Sequence, residues 1–137
     1  MNKVFIFILI VFDTVLFTSN SYAEELPRTA ILPFQGINVS SNDAKVVSAL
    51  FETALVQTGS FPVIEQNQMK EILEAQSVTL SGCVDEACAV EFGKLLAAEQ
   101  IILGTFSSIG GKYVINAKII DVTTGELSDI SGAVLSS

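Results

Sequence analysis

Two adjacent glycines, Gly110 and Gly111, lie between two runs that both read as β-strands. This pairing constrains the fold more than any other feature of the chain. Before it, Gln100 to Ser107 carries Ile101, Ile102, Leu103 and Phe106; after it, Tyr113, Ile115, Ala117 and Ile119 alternate with Lys112, Asn116 and Lys118. Period-2 alternation gives a strand one buried and one wetter face. A two-residue turn that tolerates positive φ at both positions joins such strands as a hairpin. Thr123-Thr124-Gly125 turns the chain again, and Leu127 to Val134 reads as a weaker last strand at the sheet edge.

Upstream the apolar period changes. Arg28 to Phe34 is a short apolar run ended by a loop through Gln35 and Gly36, and it reads as a buried first strand. Pro33 belongs near a strand end because it cannot donate to a ladder. Ser40, Ser41 and Asn42 offer N-cap side chains to a helix whose broad apolar face holds Val46, Val47, Leu50, Phe51, Ala54 and Leu55. Asp43, Lys45, Ser48 and Glu52 lie mostly elsewhere, and Gly59 is placed to end the helix. Phe61 to Glu65 is a compact second strand with Pro62 at its start or edge. Gln66 to Ala75 is a short helix with Met69, Ile72 and Leu73 inward, and Leu80 is expected to anchor the polar loop after it. Asp85 to Ala98 is a third helix, acidic in its first turn as the helix dipole favours, with Cys88, Phe92, Leu95 and Leu96 on its apolar face. Gly93 within it marks a close packing contact, since glycine there costs roughly 1 kcal/mol against alanine. The order β-α-β-α-α-β-β-β predicts a single two-layer α/β domain with a mixed sheet of about five strands and three helices.

Residues 1–23 have the parts of a secretory signal: Lys3, an unbroken apolar run from Val4 to Phe12, and Ser21-Tyr22-Ala23 as a small-residue cleavage site. The run falls far short of the roughly 20 residues that span a bilayer. Asp13 is the awkward member, and an uncleaved anchor resuming through Thr14 to Phe17 is the alternative. Cleavage after Ala23 leaves 24–137 as one domain. Lys3 and Asp13 leave together, so the remainder keeps the net charge of −8. That balance repels phosphate backbones and anionic lipid surfaces, which argues against nucleic acid and leaves membrane association indirect.

Cys83 and Cys88 stand at the start of the third helix. In an exported chain such a pair is most simply a disulfide. A redox-active pair is the alternative, because a helix N-terminus lowers a thiol's pKa; against it, the spacing is not C-x-x-C and Asp85 and Glu86 oppose thiolate formation. The chain has no histidine, which removes Ser-His-Asp and Cys-His machinery. Two cysteines cannot by themselves supply the four ligands of structural zinc. The carboxylate pairs Asp85/Glu86 and Glu71/Glu74 read as solvated helix surface, and the glycines form no phosphate loop. No catalytic residue, metal, cofactor or small-molecule substrate is expected.

Four stretches carry a family resemblance: Ala30 to Phe34, Leu55 to Glu65, Gln68 to Gln76, and Ser81-Gly82 through Gly93-Lys94-Leu95-Leu96 to Gly104. Asp121 to Glu126 fits as the turn that follows. In order and spacing the chain resembles the periplasmic domain of the curli-secretion channel family (CsgG/HfaB), related in fold to the TolB N-terminal domain and to LpoB, the lipoprotein activator of a peptidoglycan synthase. The resemblance implies a TolB N-terminal-like fold and a periplasmic module, free or associated with the outer membrane, that contacts envelope proteins or copies of itself. Three departures qualify it. No cysteine follows the apolar run for acylation, and Ala97-Ala98-Glu99 stands where relatives often have Gly-Val. The connections are also too short for membrane hairpins, whose strands need about 9–11 residues each. The soluble module without the pore is therefore expected, with Leu127, Asp129 and Ile130 of the last strand as the edge another chain could join. A component of an outer-membrane secretion complex and a thiol-disulfide enzyme are the two competing functions.

Overall fold

The computed structural model describes residues 25–79, 83 and 85–136. Residues 1–23, read as a signal peptide, and Leu80 lie outside them. The elements run β1 (Thr29–Ile31), β2 (Gln35–Ile37), α1 (Ser41–Thr58), β3 (Val63–Ile64), α2 (Gln66–Glu74), α3 (Glu86–Leu95), β4 (Gln100–Ile109), β5 (Lys112–Asp121) and β6 (Leu127–Ser136). The strands form one mixed sheet in the order β3-β1-β4-β5-β6, with β2 also pairing β4. β4 is the spine. β5 lies antiparallel along its whole length, while β1 and β2 follow one another in parallel on its other side.

The single first strand expected from Arg28 to Phe34 is therefore two. Leu32 N–H still reaches the carbonyl of Ile102 at 2.9 Å, but Pro33 has no N–H to continue the ladder. Phe34 N–H turns away and donates to the buried Ser48 Oγ of α1 at 2.6 Å. Pairing resumes at Gln35, where a loop was expected.

α1 is bounded as its sequence suggests: Ser40 Oγ accepts from Asp43 N–H at 3.0 Å, and Gly59 ends the helix at φ 64°. Its buried face differs from the expected one. Ala44 and Ser48 are buried and Val47, Phe51 and Leu55 pack beside them, while Val46 and Leu50 are 51% and 63% exposed. The inward stripe is thus narrower and rotated toward Ser48, whose hydroxyl is held by Phe34.

Consecutive strand residues go to different cores. Ala30, Leu32 and Ile101 join Met69 and Leu73 of α2, Ala89 and Phe92 of α3, and Leu96 just past its end. Ile31 and Ile102 instead join Phe34 and α1. Successive side chains on a strand point to opposite faces, so α1 covers one face and α2 and α3 the other. The α/β class, mixed sheet and three helices are as expected, but the layers number three at the central strands.

α3 stops at Leu95 rather than Ala98. Ala97 turns left-handed at φ 50°, its N–H reaching Lys94 O at 3.1 Å while Ala98 N–H reaches Gly93 O at 2.9 Å. That is the Schellman closure, normally built on glycine. An L side chain in this region is disfavoured by about 1–2 kcal/mol. Ala97→Gly, at an exposed position, is expected to raise stability by about 1 kcal/mol in chemical denaturation; an unchanged or lower midpoint would contradict this account of the helix end.

Candidate functional site

Gly110 and Gly111 both take positive φ, 59° and 76°, so the tight hairpin places β5 in register with β4 from Lys112 to Asp121. The next turn is held by Asp121. Its carboxylate accepts N–H bonds from Thr123 and Thr124, both at 2.8 Å, and the Thr124 N–H foremost keeps its carboxyl below the usual range against an opposing desolvation. β6 then returns antiparallel to β5 and ends the strand order. At the opposite end of that order lies β3, two residues long and preceded by Pro62. The long open edge of the described sheet is thus β6.

Leu127, Asp129 and Ile130 all lie on β6, opposite Ile120, Ile119 and Lys118. The disulfide joins Cys83 to Cys88 across a Cα separation of 5.5 Å. Asp85 caps α3 by accepting from Cys88 N–H at 2.8 Å, so covalent bond and cap close the same turn. Glu86, next along, pairs with Lys118 at 2.9 Å. Lys118 is the register partner of Ile130, so the cysteine corner and the edge are separated by one strand.

A cleft of about 300 Å³ lies at this corner, lined by Gln35, Cys83, Glu86, Leu103, Asn116 and Lys118 among others. Sequence reasoning missed it because its polar members come from β2, β4, β5 and α3, which only the fold assembles. Also missed was a row of the sheet beyond α3 that is exposed at its two ends, with Ser107 buried between them. Register places Ile37, Ser107, Val114 and Val134 in one row on one face, and Ile37 and Val134 remain 47% and 65% exposed. The apolar members of β5 and β6 were the available signal. Among the described residues, no group of three or more metal-ligating side chains forms a cluster, and no helix is long and apolar enough to cross a membrane.

These features define a small α/β domain whose mixed sheet carries helices on both faces and ends in a long open strand. Residues 27–114 match the family model of CsgG, described as a curli production assembly/transport component, and the chain belongs to that family. The fold is similar to the C-terminal domain of LpoB from Salmonella enterica, with TM-score 0.68 and 12% identity over 82% of this chain and 84% of that one. It is also similar to lipoprotein GNA1162 from Neisseria meningitidis, with TM-score 0.66 and 12% identity over 81% of each chain. A PelC dodecamer from Paraburkholderia phytofirmans aligns at TM-score 0.54 and 9% identity over 79% and 70%. At such identities the likeness shows a shared fold. No curated protein matches significantly by sequence.

Proposed function

We propose that this chain is a non-enzymatic assembly module of the bacterial cell envelope, exported, cleaved after Ala23, and acting through protein contacts along the β6 edge. The observation that carries this reading is a ten-residue strand at the end of the sheet. An exposed edge presents a row of unpaired N–H and C=O groups to which another chain can add a strand. The family's description as an assembly/transport component agrees with such a role, and one protein of similar fold is a dodecamer. Net charge −8 disfavours nucleic acid as the partner.

The edge is tested by proline. Adjacent residues on a strand direct their N–H groups to opposite sides, so of Ile130→Pro and Ser131→Pro one breaks the ladder to β5 and the other removes only an outward donor. The variant that keeps its thermal midpoint is expected to lose capture of envelope proteins from its own periplasm. Unchanged capture by that variant would remove the edge from the reading.

The family description also favours a second reading, a component of an outer-membrane secretion or transport complex. Fractionation separates the two: release with the soluble periplasm supports the module, and retention with outer membranes supports the complex.

A further inference from the structure

We propose that the β6 edge, on the reading just given, pairs with β6 of a second copy of this chain, antiparallel about a two-fold axis at Gly132. Native edges are usually blunted by lysine, proline, bulges or very short strands. Between Leu127 and Ser136 this one has a single charge, Asp129, and neither lysine nor proline. Its one irregularity falls between Ile119 and Ile120, where the partners jump from Asp129 to Leu127 and leave Ser128 without one. From Asp129 to Ser136 the ladder is regular.

This regular stretch fixes the register. A two-fold axis that pairs identical strands antiparallel stands normal to the sheet and keeps like faces on the same side. Paired positions must then share a face, so the axis passes through a residue and not between two. Centring on Gly132 pairs Asp129 with Leu135, Ile130 with Val134 and Ser131 with Ala133, all inside the regular ladder. Centring on Ser131 would run the pairing into Ser128, where the ladder is disturbed; centring on Ala133 gives an equal length, 130–136, but sets Val134 opposite Gly132, which offers no side chain to pair with it.

Two further observations agree with that centre. Val134, 65% exposed, gains the aliphatic residue at position 130 as its cross-strand neighbour, once on each side of the axis. Its row of Val114, Ser107 and Ile37 then runs on into the second copy. The two Asp129 positions end up six residues apart along the strands, about 20 Å, beyond a Debye length of roughly 8 Å, so the only charge on the edge does not oppose pairing.

The test uses the chain purified from periplasm with its native disulfide intact. Sedimentation velocity should show a concentration-dependent dimer, weakened about tenfold by Val134→Lys, which removes two symmetric aliphatic pairs and adds an edge lysine. Among Ser131→Cys, Gly132→Cys and Ala133→Cys, the disulfide-linked dimer on a non-reducing gel should be strongest for Gly132→Cys, the only position that meets itself. A wild-type chain that stays monomeric over the accessible concentrations overturns the proposal. So does stronger cross-linking at 131 or 133. If the chain is monomeric while the outward proline variant still loses its envelope partner, self-pairing falls and the proposed function stands.

Discussion

Replacing Phe34 with alanine is expected to destabilise the domain by about 3–5 kcal/mol, a large share of the roughly 5–15 kcal/mol that holds a domain of this kind. Phe34 is 4% exposed, sits between the sheet and α1, and meets Phe51 with ring centroids 5.0 Å apart. Beneath it is Gly104 of β4, where a Cβ would run into the Phe34 ring. Gly104→Ala should therefore cost about 1–3 kcal/mol by overpacking. In the Phe34→Ala background the ring is gone and the added methyl partly fills the hole, so the second substitution should cost little or help. The two changes are predicted to be strongly non-additive, with a coupling of about 1 kcal/mol or more in a urea-denaturation cycle. Additivity within about 0.5 kcal/mol would show that the ring does not rest on Gly104.

The same residues show where sequence reading succeeds and where it stops. Features whose partners are near in sequence were legible. Ser40 and Gly59 bound α1 as their capping chemistry dictates, Gly110-Gly111 makes the hairpin, and Gly93 lies so close to Val122 that a Cβ would strike it. What was not legible depends on residues far apart. Pro33 alone signals a weakened strand, but the split into β1 and β2 needs the hydroxyl of Ser48 to take the Phe34 N–H. The rotation of α1 that leaves Val46 and Leu50 outside follows from that buried serine, a residue hydropathy assigns to the surface. Similarly, Ile101 and Ile102 read only as an apolar run, and that they serve separate cores requires helices on both faces. As for the site, the cysteine pair and the edge strand could be named from sequence, but their separation by a single strand through Lys118 could not.

Removing the disulfide with Cys83→Ala and Cys88→Ala together is expected to lower stability by about 2 kcal/mol, the chain-entropy value for so short a loop. The corresponding fall in Tm is on the order of 10 °C. Cys83 is 7% exposed and belongs to the core under α2 and α3, so alanine rather than serine avoids burying an unpaired hydroxyl. The loss should come with little change at the hairpin, because β4, β5 and β6 are tied to one another by their own ladders; amide exchange should quicken around residues 85–92 and stay protected at 112–120. The thiol-disulfide enzyme reading makes the opposite demand. A reactive cysteine needs its thiolate stabilised by nearby positive charge, but here Asp85 occupies the N-cap and Glu86 holds Lys118, the cation at this corner, in an ion pair. Insulin reduction by the purified protein should therefore match that of the Cys88→Ser variant. Turnover above that control would mean the bond is chemistry rather than a brace, and it would displace the assembly reading of the site.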